Sequence, residues 1–200
     1  VLAAAASVTE RILLGTGIAL PAQHDPIALA KQVATLDMVS NGRVVLGIGF
    51  GWNVEEMESH GVVFKTRRVQ VREHMLAMQA LWGNEVAEFH GDFVDFEPSY
   101  QWPKPVQCPR PRVLVGGGAG PKLFDHIAEY ADGWMPIGGR HPLDKWGLIE
   151  DACHAIGRDP ESIERGVFGA RPDQGALGEL AASGIFSDLL RCTRAYSSER

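Results

Sequence analysis

Apolar and polar residues along this chain fall into alternating blocks that read as strands and helices in turn. Arg11 to Ile18, RILLGTGI, is a β-prone run ending in glycine, and Pro21 to His24 follow as a loop. Asp25-Pro26 then supplies a helix N-cap with proline at the first helical position. Ile27, Leu29, Ala30, Val33, Ala34, Leu36 and Met38 make a broad apolar face, and Asn41-Gly42 provides a left-handed stop. Arg43 to Gly51, RVVLGIGFG, is apolar without alternation, as expected of a strand buried on both faces of a parallel sheet. These segments complete one β-α-β unit.

The alternation continues with a helical segment from Val54 to His60, a break at Gly61, and a stronger helix from about Thr66 to Trp82. In that helix Val71, Met75, Met78 and Trp82 form the apolar stripe, and Arg67, Arg68, Arg72 and Glu73 lie largely off it. Glu85 to Phe96 alternates around His90-Gly91-Asp92 and reads as a β-hairpin, inserted with its flanks at about 83–111. A proline-rich tether, Pro103 to Pro111, leads to a buried strand at Arg112 to Val115, then to Gly116-Gly117-Gly118-Ala119-Gly120 and a helix opening at Pro121. Shorter units follow: strand Trp134 to Ile137, helix Pro142 to Ile156, strand Ile163 to Phe168, helix Ala176 to Ser183 and strand Ile185 to Leu190. Residues 191–200 are polar and read as frayed. Six strands alternating with helices predict a parallel α/β architecture, with residues 1–200 as a single domain.

Composition narrows the function classes. Lys and Arg number 19 against 25 Asp and Glu, a net charge of −6, which is the opposite of what a nucleic-acid backbone requires. No apolar stretch approaches the ~20 residues of a membrane span, and Val1 to Thr9 lack the basic region of a signal peptide, so a cytoplasmic location is expected. Cys108, Cys153 and Cys192 show no CxxC spacing, which points to reduced thiols and neither a disulfide framework nor a zinc site.

In parallel α/β proteins ligands bind at the carboxyl ends of the strands, and glycines cluster there three times, at Gly15-Thr16-Gly17, Gly47 to Gly51 and Gly116 to Gly120. One such cluster reads equally well as a tight turn; three on one face favour close backbone approach to a large ligand. GGGAG ahead of a helix beginning at Pro121 exposes amides at a positive helix end, so a phosphate-bearing ligand is expected. It is not a Walker loop, because Lys122 sits inside the helix, and no acidic residue ends the next strand as a Rossmann fingerprint would need.

Other polar residues carry weaker signals. His24 follows the first strand and is a weak catalytic candidate, whereas Asp25 is sufficiently explained as an N-cap. Glu55 and Glu56 are dipole-favoured residues of a first helical turn. His60, His74 and His90 read as surface residues, Arg67, Arg68 and Arg72 as a solvated helix face in preference to a steering patch for an acidic cofactor, and Trp134 as packing near the site.

The strings ILLGTGIALP, HDPIALAKQVATLDMVSNGRVVLGIGFGWNVEEM, RVQVREHMLAMQALW, FHGDFVDF, PKPVQCPRP, VLVGGG and ADGW, in that order, resemble the luciferase-like monooxygenase superfamily, with the nearest likeness among coenzyme F420-dependent oxidoreductases. The resemblance covers Thr9 to about Pro136 closely. It implies a TIM (β/α)8 barrel in which Arg11 to Ile18 is the third strand, Val1 to Val8 are the tail of the second helix, and strands three to eight leave two parallel edges exposed. By the same resemblance Thr16, Gly17 and Ile18 back the cofactor ring, with a non-proline cis bond at Gly17-Ile18. Gly49, Phe50 and Gly51, with Trp52 beside them, line the ribityl chain, and the amides of Gly117, Gly118 and Ala119 hold the phosphate.

The implied reaction is hydride transfer between F420 and a small organic substrate. FMN is the alternative cofactor and would imply a monooxygenase, and homodimers are usual among such proteins. F420 sugar-phosphate dehydrogenases carry a glutamate where this chain has Trp52, which weighs against their reaction. A non-catalytic barrel fragment is the competing reading from another class. A phosphosugar enzyme would need a lysine or carboxylate pair at the strand ends, and the sequence offers no convincing one.

Overall fold

The computed structural model describes residues 1–137, 143–169, 174–182 and 184–185. Helix α1 (Leu2–Val8) precedes strand β1 (Leu14–Gly15), and a 3-10 turn at Pro21–Gln23 leads to α2 (Pro26–Ser40). The ends of α2 follow from its sequence: the Asp25 carboxylate accepts from the Ala28 amide at 2.7 Å, and Asn41 (φ 56°) with Gly42 (φ 77°) turns the chain out of the helix. Strand β2 (Val44–Ile48), α3 (Val54–Ser59) and α4 (Arg67–Gly83) come next. The hairpin β3 (Val86–His90) and β4 (Asp95–Tyr100) then leads to β5 (Arg112–Gly116), α5 (Pro121–Tyr130), β6 (Gly133–Met135), α6 (Trp146–Ala155), β7 (Glu164–Arg165) and α7 (Gln174–Ala182).

Strands β1, β2, β5, β6 and β7 form one parallel sheet in that order, while β3 and β4 pair separately as the expected antiparallel hairpin. Alternate strand residues face opposite sides. Val44, Leu46, Ile48, Val113, Val115 and Trp134 join the large core under the helices, whereas Val45, Leu114 and Met135, with Leu13 and Phe168 against them, form a small cluster on the other side. The sheet curls towards that second side. A Cβ built on Gly17, just past β1, would lie 2.5 Å from the Phe168 ring, just past β7, so the segments that follow the two outermost strands meet on the concave side.

Several expectations are corrected, and two others fall on residues outside those described. The sixth strand, Ile185 to Leu190, lies outside the described residues except for Ile185, which is buried beside Val167. Residues 191–200 also lie outside them. The first strand is shorter than Arg11 to Ile18, because beyond Gly15 the Thr16 hydroxyl bonds the Gly47 carbonyl at 2.7 Å and pairing resumes only at the bridge Ala19–Ile48. The hairpin runs on to Tyr100 because β4 pairs that far with Val86.

Glu73 and His74 are buried where the sequence placed them off the apolar stripe or on the surface. The Glu73 carboxylate accepts from the amides of Phe93 (2.7 Å) and Val94 (3.3 Å) in the hairpin tip, and the His74 Nδ1–H donates to the Pro21 carbonyl at 3.1 Å. Arg67 and Arg68 are not a solvated face either, whereas the Arg72 side chain stays solvent-accessible as expected. Arg67 stacks on Phe64 at 3.6 Å and donates to the Gly51 carbonyl, Arg68 covers the Phe50 ring at 4.5 Å, and Arg72 pairs with Glu129.

Polar side chains also fix the long connections. Buried Asp37 accepts from the Val106 and Gln107 amides and the Gln107 side chain at 2.7–2.9 Å, anchoring the tether. Arg43 donates to the carbonyls of Ala6, Thr9, Ile12 and Ser40, clamping α1 beside β1. Among the described residues no helix is long and apolar enough to cross a membrane.

Candidate functional site

The carboxyl ends of β1, β2 and β5 carry the glycine clusters, and the structure separates them by what each glycine answers to. At Gly47 an added Cβ would stand 2.1 Å from the Thr16 carbonyl oxygen, so glycine there serves the contact with the neighbouring strand. At Gly49 it would stand 2.1 Å from Ile18 Cδ1. Gly51 has φ +75°, and its neighbour is the Met57 sulfur. Gly118 and Gly120 differ, because an added Cβ would find nothing within 4 Å and neither has a left-handed φ. No contact within the described protein requires glycine at either position.

The loop of Gly116 to Gly120 is held from beneath. Trp134, from the ADGW string, packs edge-on against Phe124 and donates its indole N–H to the Gly117 carbonyl at 3.0 Å. Gly117 takes φ +146°, a conformation that favours glycine. Helix α5 begins at Gly120 with Pro121 in its first turn, no side-chain cap and no acidic residue there. Among the described residues the amides of Gly118, Ala119, Gly120 and Lys122 have no hydrogen-bond partner. Unpaired donors at the positive end of a helix dipole match the needs of a phosphate group.

Gly17 and Ile18 lie beside this loop, and their peptide bond is cis as the resemblance implied. Ile18 reaches over Gly49 and also touches Gly116, where an added Cβ would lie 3.4 Å from its Cγ2. Thr16 is tied back to the Gly47 carbonyl, so its hydroxyl is engaged within the strand pair. Phe50 is buried between His126, 5.0 Å away by ring centroids, and Arg68. Its backbone belongs to the turn and its ring to the core. Trp52 is 86% exposed at the end of the same turn. The 3-10 turn carries exposed His24 onto the flank of α4 beside His74, while the atoms nearest Gly49 and Gly116 come from Ile18, Leu20, Ile48 and Met135.

Burial pushes the His126 and His74 imidazoles below the usual histidine range, with Arg68 adding to the effect at His126, and burial pushes the Tyr130 hydroxyl up. Cys108 and Cys153 are free thiols, and Cys192 lies outside the described residues. Among the described residues no group of His, Cys, Asp and Glu side chains is placed to hold a metal ion. Sequence reasoning did not single out Phe168 or Met135 for the site. Their only signal was a place near the end of a short strand, and their role comes from contacts with Gly17 and Gly47.

Comparison with known proteins identifies the family. A protein of Mycobacterium tuberculosis described only as uncharacterised is 50% identical over 79% of the chain and 56% of its own length. The F420-dependent glucose-6-phosphate dehydrogenase of Amycolatopsis mediterranei is 29% identical over 81% of the chain and 50% of its own. The FMNH(2)-dependent dimethylsulfone monooxygenase of Pseudomonas putida is 31% identical over 80% and 44%. The chain therefore spans about half the length of the curated relatives it matches. Among solved structures, the monooxygenase RslO1 from Streptomyces bottropensis superposes with a TM-score of 0.73 at 30% identity, covering 95% of this chain and 63% of that one. The fold is of the TIM-barrel type that luciferase-like enzymes share. The luciferase-like monooxygenase family matches residues 1–171, and the chain belongs to that family.

Proposed function

We propose that the strand-end cradle binds coenzyme F420 and that the protein transfers a hydride between it and a small organic substrate. The observation that carries this reading is the pair Gly118 and Gly120, whose missing side chains answer to no contact among the described residues and leave amides without a partner there at the start of α5, open to a phosphate group. In this reading the amides of Gly117, Gly118 and Ala119 hold the phosphate, the Gly49–Gly51 turn follows the ribityl chain, and the Gly17–Ile18 peptide backs the ring. F420, when bound, supplies a two-electron hydride carrier. The chain's own contribution is orientation and exclusion of water: Ile18, over Gly49 and Gly116, gives the ring an apolar backing, and Trp134 keeps the phosphate loop in one conformation.

F420 is preferred to FMN on the ordered motifs that resemble F420-dependent oxidoreductases. A dimethylsulfone monooxygenase using reduced FMN among the relatives makes FMN the alternative, and a monooxygenase the corresponding activity. Trp52 stands where sugar-phosphate dehydrogenases carry glutamate, so the substrate we propose is not a sugar phosphate. A fluorescence titration tests the reading: F420 emission should be quenched at micromolar protein. No quenching together with tight FMN binding would favour the monooxygenase, and a chain blind to both cofactors would favour a non-catalytic barrel piece.

A further inference from the structure

Gly17 is a glycine for reasons of space. It lacks the left-handed φ that would demand one, yet an added Cβ would lie 2.5 Å from Phe168 Cε2, 3.2 Å from Cδ2 and 3.4 Å from Cζ. One edge of the Phe168 ring therefore fills the volume a side chain at residue 17 would occupy. Phe168 is itself anchored: its amide donates to the Pro136 carbonyl at 3.0 Å, its backbone bridges Ile137, and its ring packs on the cluster of Val45, Leu114 and Met135. From that floor the ring meets Gly17, and the next residue, Ile18, rests over Gly49 and Gly116.

We infer that Phe168 is a positioning residue for the cofactor, a prop that sets where the Gly17–Ile18 peptide stands at the strand ends. The inference rests on the proposed function, in which that peptide backs the flavin-type ring. Phe168 touches the peptide from the concave side and acts through it. Residues 17 and 168 come from opposite ends of the described sheet, so the prop is also where those ends are held in register. Because each residue's size is set by the other, they should behave as a matched pair.

The test is a double-mutant comparison in the full chain, with F420 affinity read by fluorescence titration, FMN affinity read in parallel, and thermal melting read separately. Phe168→Ala should weaken F420 binding about tenfold, and Phe168→Leu, which keeps apolar bulk without the ring edge, should weaken it less. Gly17→Ala alone should also weaken binding. Gly17→Ala combined with Phe168→Ala should bind more tightly than Gly17→Ala alone, because the new methyl group enters the space the ring has left. Phe168 variants that melt lower but bind with wild-type affinity would assign the ring a structural role only and overturn the inference, as would strictly additive effects of the two substitutions. A wild-type chain that takes neither F420 nor FMN would instead overturn the functional reading and, with it, the role given to Phe168.

Discussion

Gly120→Asp should move stability and cofactor affinity in opposite directions. Gly120 is the N-cap of α5, has extended backbone (φ 172°, ψ 154°) that aspartate can adopt, and meets nothing within 4 Å at its Cβ position. An aspartate there can accept from the free Lys122 amide and face the positive helix end, worth together about 0.5–1 kcal/mol over glycine, or roughly 2 °C in melting temperature for a chain of this length. The same carboxylate would stand about 5 Å from a phosphate bound at the loop. Two unit charges at that distance with an effective dielectric near 20 repel by about 3 kcal/mol, a loss of roughly a hundredfold in affinity at low salt that shrinks as salt rises. Gly120→Ala adds bulk without charge and serves as the control. Melting curves and F420 titrations on the three proteins decide the matter. An aspartate variant that melts higher but binds F420 as the wild type does would refute the assignment of the phosphate to the start of α5.

Two further predictions concern the scaffold. Gly47→Ala drives a methyl group onto the Thr16 carbonyl oxygen at 2.1 Å and breaks the Thr16 hydroxyl and Ala19 amide bonds to the Gly47 carbonyl, costing about 3–5 kcal/mol and roughly 10 °C in melting temperature. Gly49→Ala collides with the tip of the Ile18 side chain, not with backbone, and should cost about 1 kcal/mol; equal melting of the two variants would contradict this division. His74 and His126 have imidazoles pushed down by burial, so the unfolded chain takes up their protons first as pH falls. Their contribution is fully present above the ordinary histidine value of about 6.5 and is lost below it, so urea midpoints should decline between about pH 7 and about pH 5. His90, raised by Asp95 but exposed, works weakly in the opposite sense. Midpoints that stay level over that range, or fail to flatten in a His74→Gln, His126→Gln double variant, would count against the linkage.

What the sequence made legible was whatever depends on neighbours along the chain. The Asp25 cap, the Asn41-Gly42 stop, the unbroken run of β2 and the Gly116-to-Pro121 opening of α5 are local signals, and each appears in the structure where the residues put it. Glu73 and His74 were illegible because a helical stripe marks only the face turned to the main core. Helix α4 has a second buried side, and what covers it is the hairpin tip and the 3-10 turn, whose amides and carbonyl need polar partners. Arg67 and Arg68 failed for the same reason, since Phe50 and Phe64 offer their rings from segments outside the helix. The glycine clusters were legible as a set and not one by one. Only the packing tells that Gly47 answers to Thr16, Gly49 to Ile18 and Gly17 to Phe168, while Gly118 and Gly120 answer to nothing in the described protein.

In the proposed function, that remainder is also what would let an acidic chain hold an acidic ligand. With a net charge of −6 the field of the whole protein repels a phosphate at long range, so attraction has to come from dipoles that act only at contact. Backbone amides meet that requirement if nothing covers them and nothing lets them move. Glycines at 118 and 120 satisfy the first condition, and the Trp134 bond to the Gly117 carbonyl, backed by Phe124, satisfies the second. A flexible lysine in the same place would add charge at the cost of ordering its side chain, whereas a loop fixed by a fully buried tryptophan has met most of that cost on folding. If the proposed function holds, selectivity for a phosphate-bearing cofactor over a bare flavin ring should therefore reside in Trp134 and the loop above it, and the placing of the ring in Phe168 and Ile18 at the other side of the cradle.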